Sequence, residues 1–416
     1  MNVLKETGNN RMEMASKIIS KLSLSVVLLF AIMTTANAQV AVQGETVYTM
    51  SGDPIENGVV LINDGKIEAV GAAASVQIPD GYDVHRAAVV TPGLIDARSV
   101  VGLAGYYNQD HDQDQLETTD AVQPELRAVD AYNALEYLVG YLQKNGMTTL
   151  HTGHGPGAVV SGQTMLVKTT GRTVNESVIE PSAMLSMTLG ASVRSNFTTP
   201  GTRSKTVAVL RQDLVDASDY AEKRAEGETQ GRNLKMEALA DLLDGEKTAM
   251  VYAQRANDIM TALRIQKEFG FPMVLEGAAE AYLVIDEIAE SGVPVVIHPT
   301  MVRPGGETKN ATMETAAKLH EAGVPLAFQS GYEGYVPKTR VARYEAAIAA
   351  ANGLGMENAL YALTAGAADI LGVSHRIGSL EEGKDADVVL FTGDPFEYLT
   401  RVETVIIDGK VVQKDE

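Results

Sequence analysis

The chain has 416 residues, 45% hydrophobic and 21% charged, enough for one large domain and a smaller one around a sizeable core. Its 34 basic residues stand against 54 acidic ones, a formal charge of −20, which repels phosphate backbones and argues against nucleic acid or a polybasic membrane patch as partner. Cysteine is absent, which excludes disulfides, thiolate nucleophiles and cysteine-held zinc.

In chain order, Lys17 and Lys21 precede the apolar run "LSLSVVLLFAIM", which ends at Ala36-Asn37-Ala38. A basic start, a short apolar stretch and a small-x-small site form an export signal, so residues 1–38 are expected to be removed after Ala38. That places the mature chain in the periplasm or outside the cell, without a membrane anchor. Residues 39–90 read as short strands, with "VVLINDGKIEAVG" alternating around an Asn-Asp-Gly turn. Residues 376–416 contain a similar hairpin, "VETVIIDGKVV". Neither end can bury a core alone, so both are expected to pair in one small β-sandwich.

Between them, over residues 91–375, strands and helices alternate. The predicted strands are 88–96, 147–152, 163–168, 183–188, 250–254, 272–276, 294–298 and 325–329. Several are short apolar runs, as buried parallel strands are. Predicted helices stop at Gly270, Gly292 and Gly323, and each is followed by an x-Pro-strand unit. Eight such units predict an α/β fold, a (β/α)8 TIM-like barrel. The polar helical stretch from Thr198 to Glu246 interrupts the rhythm and is expected over the barrel mouth or flank.

Three segments carry a family likeness: "VVTPGLIDA" at the first barrel strand, "RIGSLEEGKDADVVLF" at 376–391, and the closing "VIIDGKVV". With the split outer strands, they make the chain resemble the amidohydrolase superfamily, in particular its imidazolonepropionase-like branch. The resemblance implies a hydrolase of amide or cyclic-amide C–N bonds. In such enzymes a divalent ion activates water and a carboxylate takes its proton. It further implies His-x-His after the first strand, His after the fifth and sixth, Asp after the eighth, and often a Lys or Glu after the fourth. Here those places hold Arg98 and Val100, Tyr252 or Gln254, Glu276 or Gly277, Ser330 or Gly331, and a residue near Ser186.

An arginine keeps its proton in proteins, so Arg98 brings fixed positive charge to the first ligand position. Two roles are open for it. It stands in for the ion by holding a carbonyl oxygen or carboxylate, or it pairs with Asp96 or Glu276 and fills the vacated space. Of seven histidines, His85, His320 and His375 fall at ordinary packing or surface positions, and His111 lies in an acidic loop without the Gly and Glu of a calcium-binding hand. His151, His154 and His298 fall at predicted strand ends, as does Glu276. The candidate catalytic residues are therefore Arg98, His151, His298 and Glu276. His154, Gln254, Glu333 and Tyr335 are the candidate substrate contacts. No cofactor is assigned, zinc at a non-standard site being the alternative to metal-free chemistry. The expected partner is a small or peptide-like molecule. A second reading is a catalytically silent relative that binds such a ligand or supports a homologous subunit, and self-association is open.

Overall fold

The computed structural model describes residues 39–107, 109–228, 231–298, 300, 305–332 and 342–414. The export signal and the candidates Glu333 and Tyr335 lie outside the described residues.

Strands β1 (Val40–Val47), β2 (Ile55–Asn63), β3 (Lys66–Ala72) and β4 (Asp83–Pro92) come from the N-terminal side. The next are β5 (Leu94–Ser99), β6 (Met147–Thr152), β7 (Val160–Gln163), β8 (Met165–Lys168), β9 (Val178–Glu180) and β10 (Met184–Thr188). Strands β11 (Thr248–Ala253), β12 (Met273–Gly277), β13 (Val295–Ile297) and β14 (Leu326–Phe328) follow. The last are β15 (Val388–Phe391), β16 (Val402–Ile407) and β17 (Lys410–Lys414).

The two chain ends meet in one seven-stranded sheet, ordered β17-β16-β15-β4-β1-β2-β3. At its β3 edge the N–H of Ile67 donates to Lys384 O at 3.0 Å, and Lys66 bridges Asp385. The central strands form a six-stranded sheet, β14-β13-β12-β11-β10-β7, and a four-stranded one, β5-β6-β8-β9. Thr164 alone separates β7 from β8, and a parallel bridge joins Ser99, the last residue of β5, to Gly331, after β14. Pairing thus passes between the central sheets at two places. The whole is a mixed α/β fold, consistent with a TIM-like barrel.

One expectation changes. The third strand position, β7–β8, runs antiparallel to both β6 and β10. Only residues 153–159 separate β6 from β7, too few for the crossover that a parallel neighbour needs. The other central pairings from β10 to β14 are parallel, as expected.

Side chains on a strand repeat every second residue. Ile95 and Ala97 of β5, Leu166 of β8, and Met184, Met250, Val274, Val296 and Ala327 of β10 to β14 pack in a single apolar cluster. Ala367 and Ala368 of the helix Ala365–Ile370 close it. Two residues further along the strands, the same face carries Ser186, Tyr252, Glu276 and His298. The apolar layer therefore ends in a polar one at the C-terminal ends of the strands, where this architecture places its chemistry. The opposite strand faces pack on helices such as Ala256–Phe269, which stops at Gly270 with φ 80°. The polar stretch folds as a helix Arg203–Ala225 packed on Leu234–Leu243. Arg203 binds Asp258 at 2.7 Å and Glu307 at 3.1 Å, which ties this helix to the first turn of Ala256–Phe269 and to the segment after β13.

Candidate active site at the strand ends

Arg98 lies in β5 and is 1% exposed. Its guanidinium crosses toward β10 and β12: Nε donates to Glu276 Oε2 at 3.3 Å and Nη2 to Ser186 Oγ at 3.2 Å. Nη1 donates to Ser99 O at 2.7 Å, and Nη2 also donates to His154 O. The cation thus sits among the first, fourth and sixth strand positions, and the chain supplies its acceptors. Glu276 is 2% exposed; burial raises its carboxyl pKa, opposed by the charge and hydrogen bond of Arg98.

Asp96, the other acid open to Arg98, is engaged elsewhere. Its Oδ2 accepts from Ser330 Oγ at 2.5 Å and its Oδ1 from Ser330 N at 2.9 Å, while Arg98 reaches it only through the backbone N–H at 3.3 Å. Burial pushes its pKa up to about 6 against these bonds. The carboxylate at the junction of β5 and β14 thus comes from Asp96 of the first strand.

His151, in β6, is enclosed. Nδ1 meets Ala97 O at 2.9 Å and Nε2 meets Thr164 Oγ1 at 2.6 Å. Since a carbonyl only accepts, Nδ1 carries the proton and Nε2 is the accepting nitrogen, which shares the single Thr164 hydroxyl proton with Met184 O, 3.0 Å away. Burial, reinforced by Arg98, lowers this imidazole's pKa to about 3. His154 follows in the loop after β6. Burial, then Arg98, lower its pKa to about 4, with the Gln163 backbone acting the other way. A side chain at Gly162, where φ is 130°, would put Cβ 2.8 Å from His154 Nδ1, so only glycine leaves the ring its place.

His298 directly follows β13 and is 8% exposed, the most open of the three. Its Nδ1 lies 4.0 Å from Glu345 Oε1, and its other edge faces Gly331, where a Cβ would come within 2.8 Å of the ring. Glu345 is fully buried in the helix Ala342–Ala349, and its Oε2 accepts from the N–H of Thr300 at 2.6 Å and from the Thr300 hydroxyl. Gln254 donates to Tyr252 Oη at 2.9 Å and to His298 O at 3.4 Å, and accepts from Ala279 N at 2.9 Å. It therefore braces the β11, β12 and β13 ends.

Arg98, Glu276 and the His154 backbone are brought together, and His298 stands near the same strand end through Gly331, whose N–H donates to Arg98 O at 3.1 Å. Glu345, Thr300, Thr164 and Ser330 were not among the candidates. Glu345 had a readable signal: it shares a helical stripe with Ala342, Ala346 and Ala349, so it falls on the buried face. Among the described residues, no three His, Cys, Asp or Glu side chains are grouped to hold a metal ion.

The amidohydrolase family model matches residues 307–412. A crystal structure of an amidohydrolase from Thermotoga maritima MSB8 superposes with a TM-score of 0.85 at 34% identity, covering 90% of this chain and 100% of that one. The chain belongs to the amidohydrolase family. Within it, similarity to imidazolonepropionases places the chain on the imidazolonepropionase-like branch. The enzyme of Geobacillus kaustophilus (strain HTA426) is 34% identical over 107 residues, 24% of this chain and 25% of that protein. Amidohydrolase tasK of Hapsidospora irregularis is 24% identical over 388 residues; the match takes in 85% of this chain but 39% of tasK, so this amidohydrolase spans about two fifths of that relative's length.

Proposed function

We propose that this amidohydrolase cleaves amide or cyclic-amide C–N bonds at the strand ends, with the Arg98–Glu276 pair in the place of a metal cage. The observation that carries this reading is the guanidinium bonded to both Ser186 of β10 and Glu276 of β12. A divalent cation does not fit there: a fixed positive charge already occupies the space and engages Glu276, and among the described residues no three His, Asp or Glu side chains are grouped around it. His298 takes the proton of the attacking water, with Glu345 orienting its Nδ1 edge. Arg98 faces the developing negative charge as a preorganised cation whose own bonds are already made. His151, with both nitrogens engaged, sets the spacing of β5, β6 and Thr164. His154, Gln254, Glu333 and Tyr335 contact a small or peptide-like substrate.

A second reading is a silent relative that binds such a ligand or supports a homologous subunit. It is supported by the same guanidinium, because the chain's own acceptors use most of its donors. The broader frame of both readings is a closed (β/α)8 barrel with a small β-sandwich from the chain ends, supported by the Ser99–Gly331 and Thr164 junctions and by the β3 edge contacts. Export to the periplasm or beyond is supported by the Leu22–Met33 run and Ala36-Asn37-Ala38.

The test joins metal analysis of protein purified without chelator to a turnover screen of N-acyl amino acids, dipeptides and cyclic amides. The reading expects substoichiometric zinc and turnover that His298→Ala abolishes. Stoichiometric zinc lost on His298→Ala overturns the metal-free site. Ligand binding without turnover of any of these substrates selects the silent reading.

A further inference from the structure

Among the described residues three lysine or arginine side chains are buried: Arg98, Lys168 and Arg343. Arg98 has Glu276, and Lys168 has Asp385, Asp387 and Asp408. Arg343 is 4% exposed and makes no ion pair with a described carboxylate, in a chain that carries 54 acidic residues. Its Nη2 reaches the Tyr344 hydroxyl at 3.4 Å, while Nε and Nη1 have no hydrogen-bond partner.

Aromatic rings do not remove this deficit. The Arg343 Cζ lies 5.2 Å from the Tyr344 ring centroid and 5.7 Å from that of Phe391. Ring contacts use the faces of a guanidinium, whereas its N–H groups point outward in its plane. The edge donors therefore remain open between two rings. Arg343 is also the second residue of the helix Ala342–Ala349, whose start adds partial positive charge. Glu345 cannot offset it: two helical residues on is about 200° around, and that carboxylate faces Thr300 and His298. The Tyr141 phenol, on the helix Tyr137–Lys144, feels both Arg343 and Tyr344 and adds a polar group to the same neighbourhood.

We propose that Arg343 anchors a binding site for a small oxyanion, a carboxylate or a phosphate, between the helix Ala342–Ala349 and Phe391 of β15. A buried cation lacking a counter-charge among the described residues is stabilised by a charge-assisted bond to such a ligand. The site lies on the flank of its helix opposite His298, so it stands apart from the proposed hydrolytic centre and survives the failure of that reading.

Calorimetric titration of the full chain with acetate and with inorganic phosphate, at matched ionic strength and low chloride, tests this. Saturable binding of at least one is expected, at least tenfold weaker in Arg343→Met and partly kept in Arg343→Lys. Which probe binds separates carboxylate from phosphate recognition. Without either anion, Arg343→Met is expected to melt at or above the wild-type temperature, since it removes an unpaired charge. No binding of either probe to the wild type overturns the proposal, as does equal binding to Arg343→Met. Should Arg343→Met fail to fold, the wild-type and Arg343→Lys titrations still decide.

Discussion

Replacing Arg98 by Met keeps an unbranched apolar stem and removes the guanidinium. Glu276, 2% exposed, then has no cation, and the Ser99 and His154 carbonyls lose side-chain donors. Removing one partner of a buried ion pair costs about 3–5 kcal/mol. Glu276 limits that loss by taking up a proton, and holding a carboxyl of ordinary pKa 4.5 neutral at pH 7 costs about 3 kcal/mol at about 1.4 kcal/mol per unit. Each buried carbonyl left without its donor adds about 1–3 kcal/mol. Arg98→Met is therefore expected to lose about 5 kcal/mol in urea unfolding at pH 7. The sign of its pH dependence follows. The folded Glu276 pKa rises further above the unfolded value, so the deficit shrinks as pH falls from 7 toward 5. Arg98→Met/Glu276→Leu should regain about 3 kcal/mol of the loss. The reasoning is refuted if Arg98→Met costs under about 1 kcal/mol at pH 7, or if the double variant is no more stable than the single one.

Acid should act through the buried imidazoles. Between pH 6 and 4 the unfolded chain carries a proton on His151 and on His154 that the folded chain lacks, and the folded chain carries one on Asp96 that the unfolded chain lacks. Taken alone, these three groups give the unfolded chain a net of one more proton and lower stability by about 1.4 kcal/mol per pH unit as pH falls, which the raised carboxyls of Glu276 and Asp387 offset. His154→Gln should flatten the urea midpoint against pH over that window, and an unchanged slope would count against the assignment. Lys168→Met strips Asp387 of its cation while Asp385 keeps Lys66 and Arg376, so a loss of about 3–5 kcal/mol is expected. Adding Asp387→Asn should restore more of it than adding Asp385→Asn, measured by the same unfolding. Gly331 has φ 69°, and its Cβ would lie 2.8 Å from the His298 ring, so Gly331→Ala is expected to cost about 1–3 kcal/mol and to displace that imidazole. Wild-type turnover and midpoint in this variant would exclude the proposed place of His298.

Much of the molecule is written locally. The β11 to β14 strands are short apolar runs, and the helices before them stop at glycines with positive φ. These signals operate over a few residues, and so the sequence carries them. The reversed third strand was not read from the sequence, which set a strand at 163–168 within the alternation; the fold adds β7, only seven residues after β6. The amino-acid sequence by itself placed a permanent cation near the end of the first barrel strand, polar groups at several strand ends, and strand-forming segments toward both ends of the chain.

The tertiary structure decided which groups answer that cation. Arg98 chose Glu276, 178 residues away, over Asp96, two residues away. Asp96 was taken by Ser330, and His151 was closed off by Ala97 and Thr164. Only the fold set Glu345 beside His298 and left Arg343 buried among rings without a described carboxylate as ion-pair partner. The reason is physical: periodicity and turn chemistry fix where a side chain leaves its own strand or helix. Which partner it meets depends on how distant strands are stacked around a shared core, and on which competing donor reaches each buried acceptor first.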